Sequence, residues 1–309
     1  MSAASPDSAL VIGEALIDVV ERDGRTLGEH VGGSPLNVAV GLSRLGRDVD
    51  FLTHVGDDDR GRRIVDYVEQ SAVRLVAGST DADRTPTALA RLDASGAATY
   101  EFDIVWETAG TPEVSPPLVV HTGSIAAFLA PGCLATAALL DAYRTSATVS
   151  YDPNVRPALI DDREQAIDRI SRLVAKADLV KASDEDLHWI DPDRPAEEVA
   201  RTWQELGPAV VVVTRGADGA FAVSDAGTVT IEAPPVEVVD TVGAGDAFMA
   251  GLVDALWSRD LLGRTRRDAL AGIGEATLGE VLREAARVSA YVVARAGADL
   301  PRRADLRQD

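Results

Sequence analysis

The chain holds only two lysines, Lys176 and Lys181, in 309 residues. Neither follows a G-x-x-x-x-G frame, so there is no Walker A loop. Neither sits in a V-A-I-K strand, and no H-R-D or D-F-G motif follows, which excludes a protein kinase. If the chain moves phosphate, it must use backbone amides, metal ions and arginine. Positive charge is scarce throughout: 30 Lys and Arg stand against 50 Asp and Glu, for a net charge of -20. Such a surface repels polyanions, so nucleic acid and anionic membranes are excluded as partners. Cys133 is the only cysteine. It can form neither an internal disulfide nor a cysteine metal cluster, and it fits a reducing cytoplasm as a small buried hydrophobe. His30, His54, His121 and His188 lack metal-ligand spacing. No apolar run reaches the roughly 20 residues that span a bilayer. The segment Met1–Ser8 is short and polar, without the basic start of a signal peptide.

What is present is enough apolar material, 46% of residues, for one large α/β domain spanning 1–309. Short apolar runs at Ala9–Ile12, Leu16–Glu21, Thr26–Val31 and Val49–His54 read as strands. The Asp23-Gly24 turn makes a hairpin of the second and third. A helix is expected over Leu36–Leu45, stopping at Gly46. A second hairpin is expected from Thr87–Leu92 and Thr99–Glu107 around Asp93-Ala94-Ser95-Gly96. Its second arm alternates, with Tyr100, Phe102, Ile104 and Trp106 on one face, a face that must cover a ligand, a partner subunit or the core. Further strands at Leu118–His121, Ala147–Tyr151, Leu179–Lys181 and Val210–Thr214 alternate with helical patterns, which implies a parallel sheet with helices on both faces. Thr277-Leu278-Gly279-Glu280 matches a capping box opening a last helix.

The run Asp240-Thr241-Val242-Gly243-Ala244-Gly245-Asp246 carries the strongest functional signal. Two glycines allow close backbone approach, and a buried helix follows, whose N-terminus is an anion site. An acid beside an anion site repels the anion, so Asp246 needs a reason. Removing a proton from a hydroxyl that attacks a phosphoryl group supplies one. In open parallel sheets ligands bind beyond the carboxyl ends of the strands. Several clusters fall there: Gly13-Glu14, His121–Ser124, Asp152–Arg156, Ser183–Asp186 and Thr214–Gly219. Asp18, an acid within an apolar strand, can accept from two sugar hydroxyls, and Gly32-Gly33 with Asn37 offers backbone approach plus an amide. Arg156 reads as a cationic clamp for a substrate acid group or the moving phosphate, or else as a surface arginine in a turn.

Gly32-Gly33-Ser34-Pro35-Leu36-Asn37-Val38-Ala39 with Leu45-Gly46, and Asp240–Asp246 with Ala247-Phe248, resemble the two signatures of ribokinase-type (phosphofructokinase-B) carbohydrate kinases. Asp152-Pro153-Asn154 and Thr214–Gly219 match in order and separation. The resemblance implies a ribokinase-like three-layer α/β/α fold with a mostly parallel central sheet. It also implies a β-sheet lid, formed by about 16–31 and 87–107, that often supports a homodimer. The implied activity is ATP-dependent phosphorylation of a primary sugar hydroxyl, with Mg2+ and a monovalent cation such as K+. Carried over, Asp246 is the general base and the amides of Gly243, Ala244 and Gly245 form the anion hole. Asp18, Gly32, Gly33, Asn37, Tyr100, Phe102 and Arg156 meet the sugar. Ser183, Thr214, Arg215, Gly216, Gly219, Gly243 and Gly245 meet the nucleotide. Asp240 serves the monovalent cation. Ser183-Asp184-Glu185-Asp186 stands where the family has Asn-x-x-Glu, so Asp186 would hold Mg2+ through water. Fructokinases are most similar. A 2-keto-3-deoxygluconate kinase, a nucleoside kinase of this fold and a non-enzymatic sugar- or nucleotide-binding pseudokinase are the alternatives.

Overall fold

The structure, a computed structural model, describes residues 8–93, 98–108 and 112–307. Its order is β1 (Ser8–Ile12), β2 (Leu16–Arg22), β3 (Arg25–Gly32), α1 (Ser34–Arg44), β4 (Asp48–Leu52), α2 (Asp59–Gln70), β5 (Arg74–Leu75), β6 (Thr87–Leu92), β7 (Ala98–Asp103) and β8 (Val119–Gly123). There follow α3 (Ile125–Phe128), α4 (Gly132–Tyr143), β9 (Thr148–Asp152), α5 (Arg163–Val174), β10 (Leu179–Ser183), α6 (Asp184–Ile190), α7 (Ala196–Leu206) and β11 (Val210–Thr214). The chain closes with β12 (Ala220–Ser224), β13 (Gly227–Ile231), α8 (Ala244–Ser258), α9 (Arg267–Ala271) and α10 (Glu275–Val293).

Nine strands form the main sheet in the order β13-β12-β11-β10-β9-β8-β1-β4-β5. From β11 to β5 all pairs are parallel, and β12 and β13 add an antiparallel edge. The strands are apolar on both sides because helices cover both, the ribokinase-like arrangement expected. One apolar cluster joins the sheet to α1, α8 and α10; the other joins it to α4, α5, α6 and α7. Close helix approach on the first side uses small residues. A Cβ on Gly41 would lie 2.8 Å from Ala250, and one on Gly251 would lie 2.9 Å from the Ala285 backbone.

The two early hairpins combine into a separate four-stranded sheet, β3-β2-β6-β7, as the sequence leads one to expect. Asp23 and Gly24 both take positive φ, the type I′ geometry of a two-residue hairpin turn. The turn residues 94–97 lie outside those described, but Thr87↔Asp103 through Leu92↔Ala98 pair antiparallel. Gly46 ends α1 as expected, with positive φ and its N–H donating to the Ser43 carbonyl.

Two expectations fail. β7 stops at Asp103, not Glu107, and Trp106 leaves the aromatic face. Its ring is buried over Gly132, where a Cβ would strike it at 2.4 Å, and its Nε1 donates to Thr136 Oγ1. The core takes the indole, so the strand pattern outruns the strand. Thr277 is not an N-cap either: α10 starts at Glu275 behind Gly274. Ile273 before the helix and Leu278 inside it are both buried in one cluster, the placement of a hydrophobic staple, and this burial decides the entry point. A capping box does occur at Ser183 and Asp186. No helix among the described residues is long and apolar enough to cross a membrane.

Candidate active site

Gly243 opens α8 in the left-handed region, φ 77°, and a Cβ there would lie 2.5 Å from Ala298. Glycine is therefore demanded by both conformation and space. The first turn of an α-helix leaves N–H groups without intrahelical partners, and those of α8 are at Ala244, Gly245 and Asp246. The Ala244 N–H already donates to the Thr241 carbonyl at 3.2 Å. The Gly245 and Asp246 amides are thus the donors best left for an anion.

Asp246 is buried in that turn, 8% exposed. Its Oδ1 accepts from Ser34 Oγ at 2.6 Å and its Oδ2 from Asn37 Nδ2 at 2.8 Å. Both donors lie in α1, which Gly33 starts with φ 117°. A Cβ on Gly33 would lie 2.5 Å from the Glu14 carbonyl, so the glycine lets α1 begin against the β1–β2 connection. Burial raises the Asp246 carboxyl above its ordinary value, while Ser34, Asn37, Lys181 and Arg156 pull it down. A carboxylate of raised basicity at the foot of an anion-binding turn can accept a hydroxyl proton while the amides face incoming oxyanions.

Asp18 lies in β2 with its side chain open to solvent. Its carboxylate overlies Gly32, where a Cβ would meet Oδ2 at 2.2 Å. Surrounding protein raises it to about 6, against the charges of His30 and Arg156. Arg156 is exposed, braced on Asn154 Oδ1 at 2.7 Å. Its charge draws down the Glu14, Asp18 and Asp246 carboxyls. Phe102 and Ile104 pack with Leu16, Ala88, Ile125 and Phe128, joining the small sheet to α3. The core thus covers part of the aromatic face. Tyr100 belongs to β7, and its side chain lies outside those described.

Across the main sheet, Ser183 and Thr214 end β10 and β11 in register. Ser183 Oγ accepts from the Asp186 N–H, and Asp186 returns Oδ2 to the Ser183 N–H. Asp186 Oδ1 accepts from the Val155 N–H at 2.7 Å. Asp186 is therefore engaged by backbone on both oxygens. The Arg215 N–H donates to the Gly219 carbonyl, and the Arg215 Nε is buried without a partner. Gly216 is exposed, while a Cβ on Gly219 would lie 2.1 Å from the Ile231 carbonyl. Asp240 Oδ1 accepts from the Val242 N–H and Oδ2 from the Gly297 N–H, contacts that hold its carboxyl below the usual range. Among the described residues, no three His, Cys, Asp or Glu side chains converge to hold a metal ion.

Reading the sequence passes over Ser34 as a partner of Asp246, and it places Lys181 in a strand without giving it a part in the site. Lys181, 3% exposed, bonds Asp152 Oδ2 at 2.6 Å and reaches the Gly245 carbonyl at 3.4 Å. A lysine interrupting an apolar strand was the available signal, since a buried charge must be paired.

A family model described as pfkB family carbohydrate kinase matches residues 7–305. A fructokinase of Rhizobium leguminosarum bv. trifolii is 37% identical over 265 residues, covering 82% of this chain and 81% of the relative. A fructokinase of Klebsiella pneumoniae is 38% identical over 257 residues, covering 80% and 83%. The structure of a fructokinase double mutant from Vibrio cholerae O395, bound to fructose, ADP and a potassium ion, is similar with TM-score 0.80 at 26% identity, covering 98% of each chain. The chain belongs to the pfkB family of carbohydrate kinases, phosphotransferases that act on a sugar hydroxyl.

Proposed function

We propose that this sugar kinase is a fructokinase that transfers the γ-phosphoryl group of ATP to a primary hydroxyl of fructose. The observation that carries the mechanism is the buried Asp246 carboxylate, held by Ser34 and Asn37 at the first turn of α8. The fructose preference rests on the relatives at 37% and 38% identity. Asp18 takes a pair of sugar hydroxyls, and Gly32 and Gly33 let the sugar approach the backbone. Asn37 bridges Asp246 and the sugar, Arg156 supplies positive charge at the mouth, and Tyr100 and Phe102 border the sugar from the small sheet. Asp246 takes the proton as the hydroxyl attacks. With the Ala244 N–H spent on Thr241, the Gly245 and Asp246 N–H groups of the turn begun by Gly243 face the transferring oxygens, where one such donor is worth roughly 10²–10³-fold.

ATP lies along the strand ends, with Ser183, Thr214, Arg215, Gly216 and Gly219 beside it. The Arg215 Nε is buried without a partner among the described residues, and its guanidinium carbon lies 5.6 Å from the centre of the Phe221 ring. Mg2+, when bound, would neutralise phosphate charge, and Asp186 would hold it through water. Asp240 and the backbone near Val242 and Gly297 would hold K+. The small sheet acts as a lid over the sugar, excluding water that would otherwise hydrolyse ATP. It also forms a homodimer contact, and the enzyme works in the cytoplasm as one domain over its whole length.

A coupled ADP-release assay over fructose, 2-keto-3-deoxygluconate and adenosine tests the assignment. Fructose is expected to give the highest kcat/KM. Turnover with adenosine or the keto-acid alone overturns the fructose assignment. No ADP release with any acceptor in the panel, together with tight sugar or nucleotide binding, would favour the pseudokinase.

A further inference from the structure

The Lys181–Asp152 pair is the most deeply buried ion pair among the described residues, with side chains 4% and 0% exposed. Burying two ions costs several kcal/mol each, and such pairs are seldom better for stability than apolar residues of the same volume. The pair also lies in one of only two places where this chain keeps a lysine. Its location supplies a reason. β9 and β10 are parallel neighbours in register Val180↔Tyr151, so Lys181 and Asp152 face the same side, toward α8. Among the described residues Asp152 Oδ1 has no partner, leaving Lys181 as the one bonded partner of that carboxylate there. The ammonium then extends to the Gly245 carbonyl. Room for it exists because residue 245 has no side chain: a Cβ would lie 3.1 Å from Nζ.

We propose that Lys181 is a positioning residue for phosphoryl transfer. Anchored by Asp152, its ammonium polarises the Gly245–Asp246 peptide through the Gly245 oxygen and keeps the neighbouring Asp246 carboxylate ionised. In a trans peptide the C=O and N–H point in opposite directions. A cation on the Gly245 oxygen therefore strengthens the Asp246 N–H as a donor on the far side, where that first-turn amide faces the transferring group. The inference rests on Asp246 being the base.

The charged and titratable groups around this point are Asp152 of β9, Asp186 of α6, Asp246 of α8, His121 of β8 and Arg156 beyond β9. Burial pulls the ammonium down, but Asp152, Asp186 and Asp246 outweigh it, so Lys181 stays charged. Burial pushes Asp152 up to about 6, opposed by Lys181, so the pair is ionic at neutral pH. Burial and the Lys181 charge push His121 down to about 3, so it is neutral and supplies no competing cation.

The test is Lys181→Met/Asp152→Asn, which removes both charges and leaves no ion unpaired. It is expected to keep the parent's melting temperature and both KM values. It should lose roughly 10²-fold in kcat, and the acid limb of kcat/KM should move to higher pH as Asp246 loses its cation. Parental kcat and an unmoved limb in the folded double variant overturn the inference. If the double variant does not fold, Lys181→Arg decides: it keeps the cation and is expected to keep the limb. A folded Arg variant with a displaced limb overturns the inference as well. Asp246→Asn in the same assay separates the two ideas. Activity there sinks the base assignment and this inference with it; inactivity there alongside a parental double variant sinks only the role of Lys181.

Discussion

Replacing Asp246 by asparagine changes almost nothing in shape and removes the group proposed to take the acceptor's proton. The Ser34 hydroxyl, 2.6 Å from Oδ1, still finds an acceptor in the new amide oxygen. The new amide nitrogen faces Asn37 Nδ2 across 2.8 Å, donor to donor. Asn37 relieves this by turning its own amide to present oxygen. The fold therefore survives. Stability should even rise at neutral pH, because burial raises the Asp246 carboxyl in the folded state. For a raised carboxyl, the folded state is favoured below the unfolded value and loses that advantage as pH climbs through the folded value; asparagine never ionises. Turnover should fall by roughly 10²–10⁴, the usual worth of a general base, or about 3–5 kcal/mol of barrier. The assay is ADP release at saturating fructose and ATP, with a thermal melt alongside. A variant turning over within tenfold of the parent refutes the assignment. A collapsed melting temperature refutes the claim that Ser34 and Asn37 accommodate an amide.

Glu14, 2% exposed, is raised from 4.5 to about 7, chiefly by burial, although Ser124 and the Ala126 N–H bond it. Its contribution to stability is present below pH 4.5 and is lost as pH rises through 7. Glu14→Gln should therefore recover up to about 3 kcal/mol at pH 8 and little at pH 5, read as a flatter dependence of melting temperature on pH; parallel curves for the two proteins would contradict this. Asp254 of α8 binds Arg47 Nε at 2.7 Å and Arg303 Nη2 at 2.5 Å, tying the chain's end to the helix. Asp254→Ala should cost about 1–3 kcal/mol in urea unfolding without changing kcat. Asp240→Asn should abolish activation by K+, followed by titrating KCl against choline chloride, with the fold intact; unchanged potassium dependence would remove Asp240 from that site.

The parts of this enzyme that could be read from its sequence are those set by local backbone demands. Gly243 and Gly33 are legible because no other residue takes their positive φ in the space available. The parallel sheet is legible because strands covered on both sides run largely apolar. Patterns extended over neighbouring residues were less secure. The alternation through Trp106 is real in the sequence, yet the chain leaves the sheet at Asp103, because the space over Gly132 takes the indole. Thr277 matches a cap, yet Ile273 and Leu278 start the helix two residues before it. Ser183 and Asp186, which look like a weakened metal motif, are a complete capping box.

What no local pattern carries is a partner brought by the fold. Ser34 and Asp246 stand 212 residues apart and meet because α1 and α8 pack on one face of the sheet. Lys181 meets Asp152 because two parallel strands take one register, and it meets Gly245 because α8 starts above their ends. The signature Asp240–Asp246 names the turn proposed to face phosphate; the Lys181–Asp152 pair beside it comes from strands whose sequences look structural. Changing those strands without changing the signature is therefore the sharper probe of how this site works.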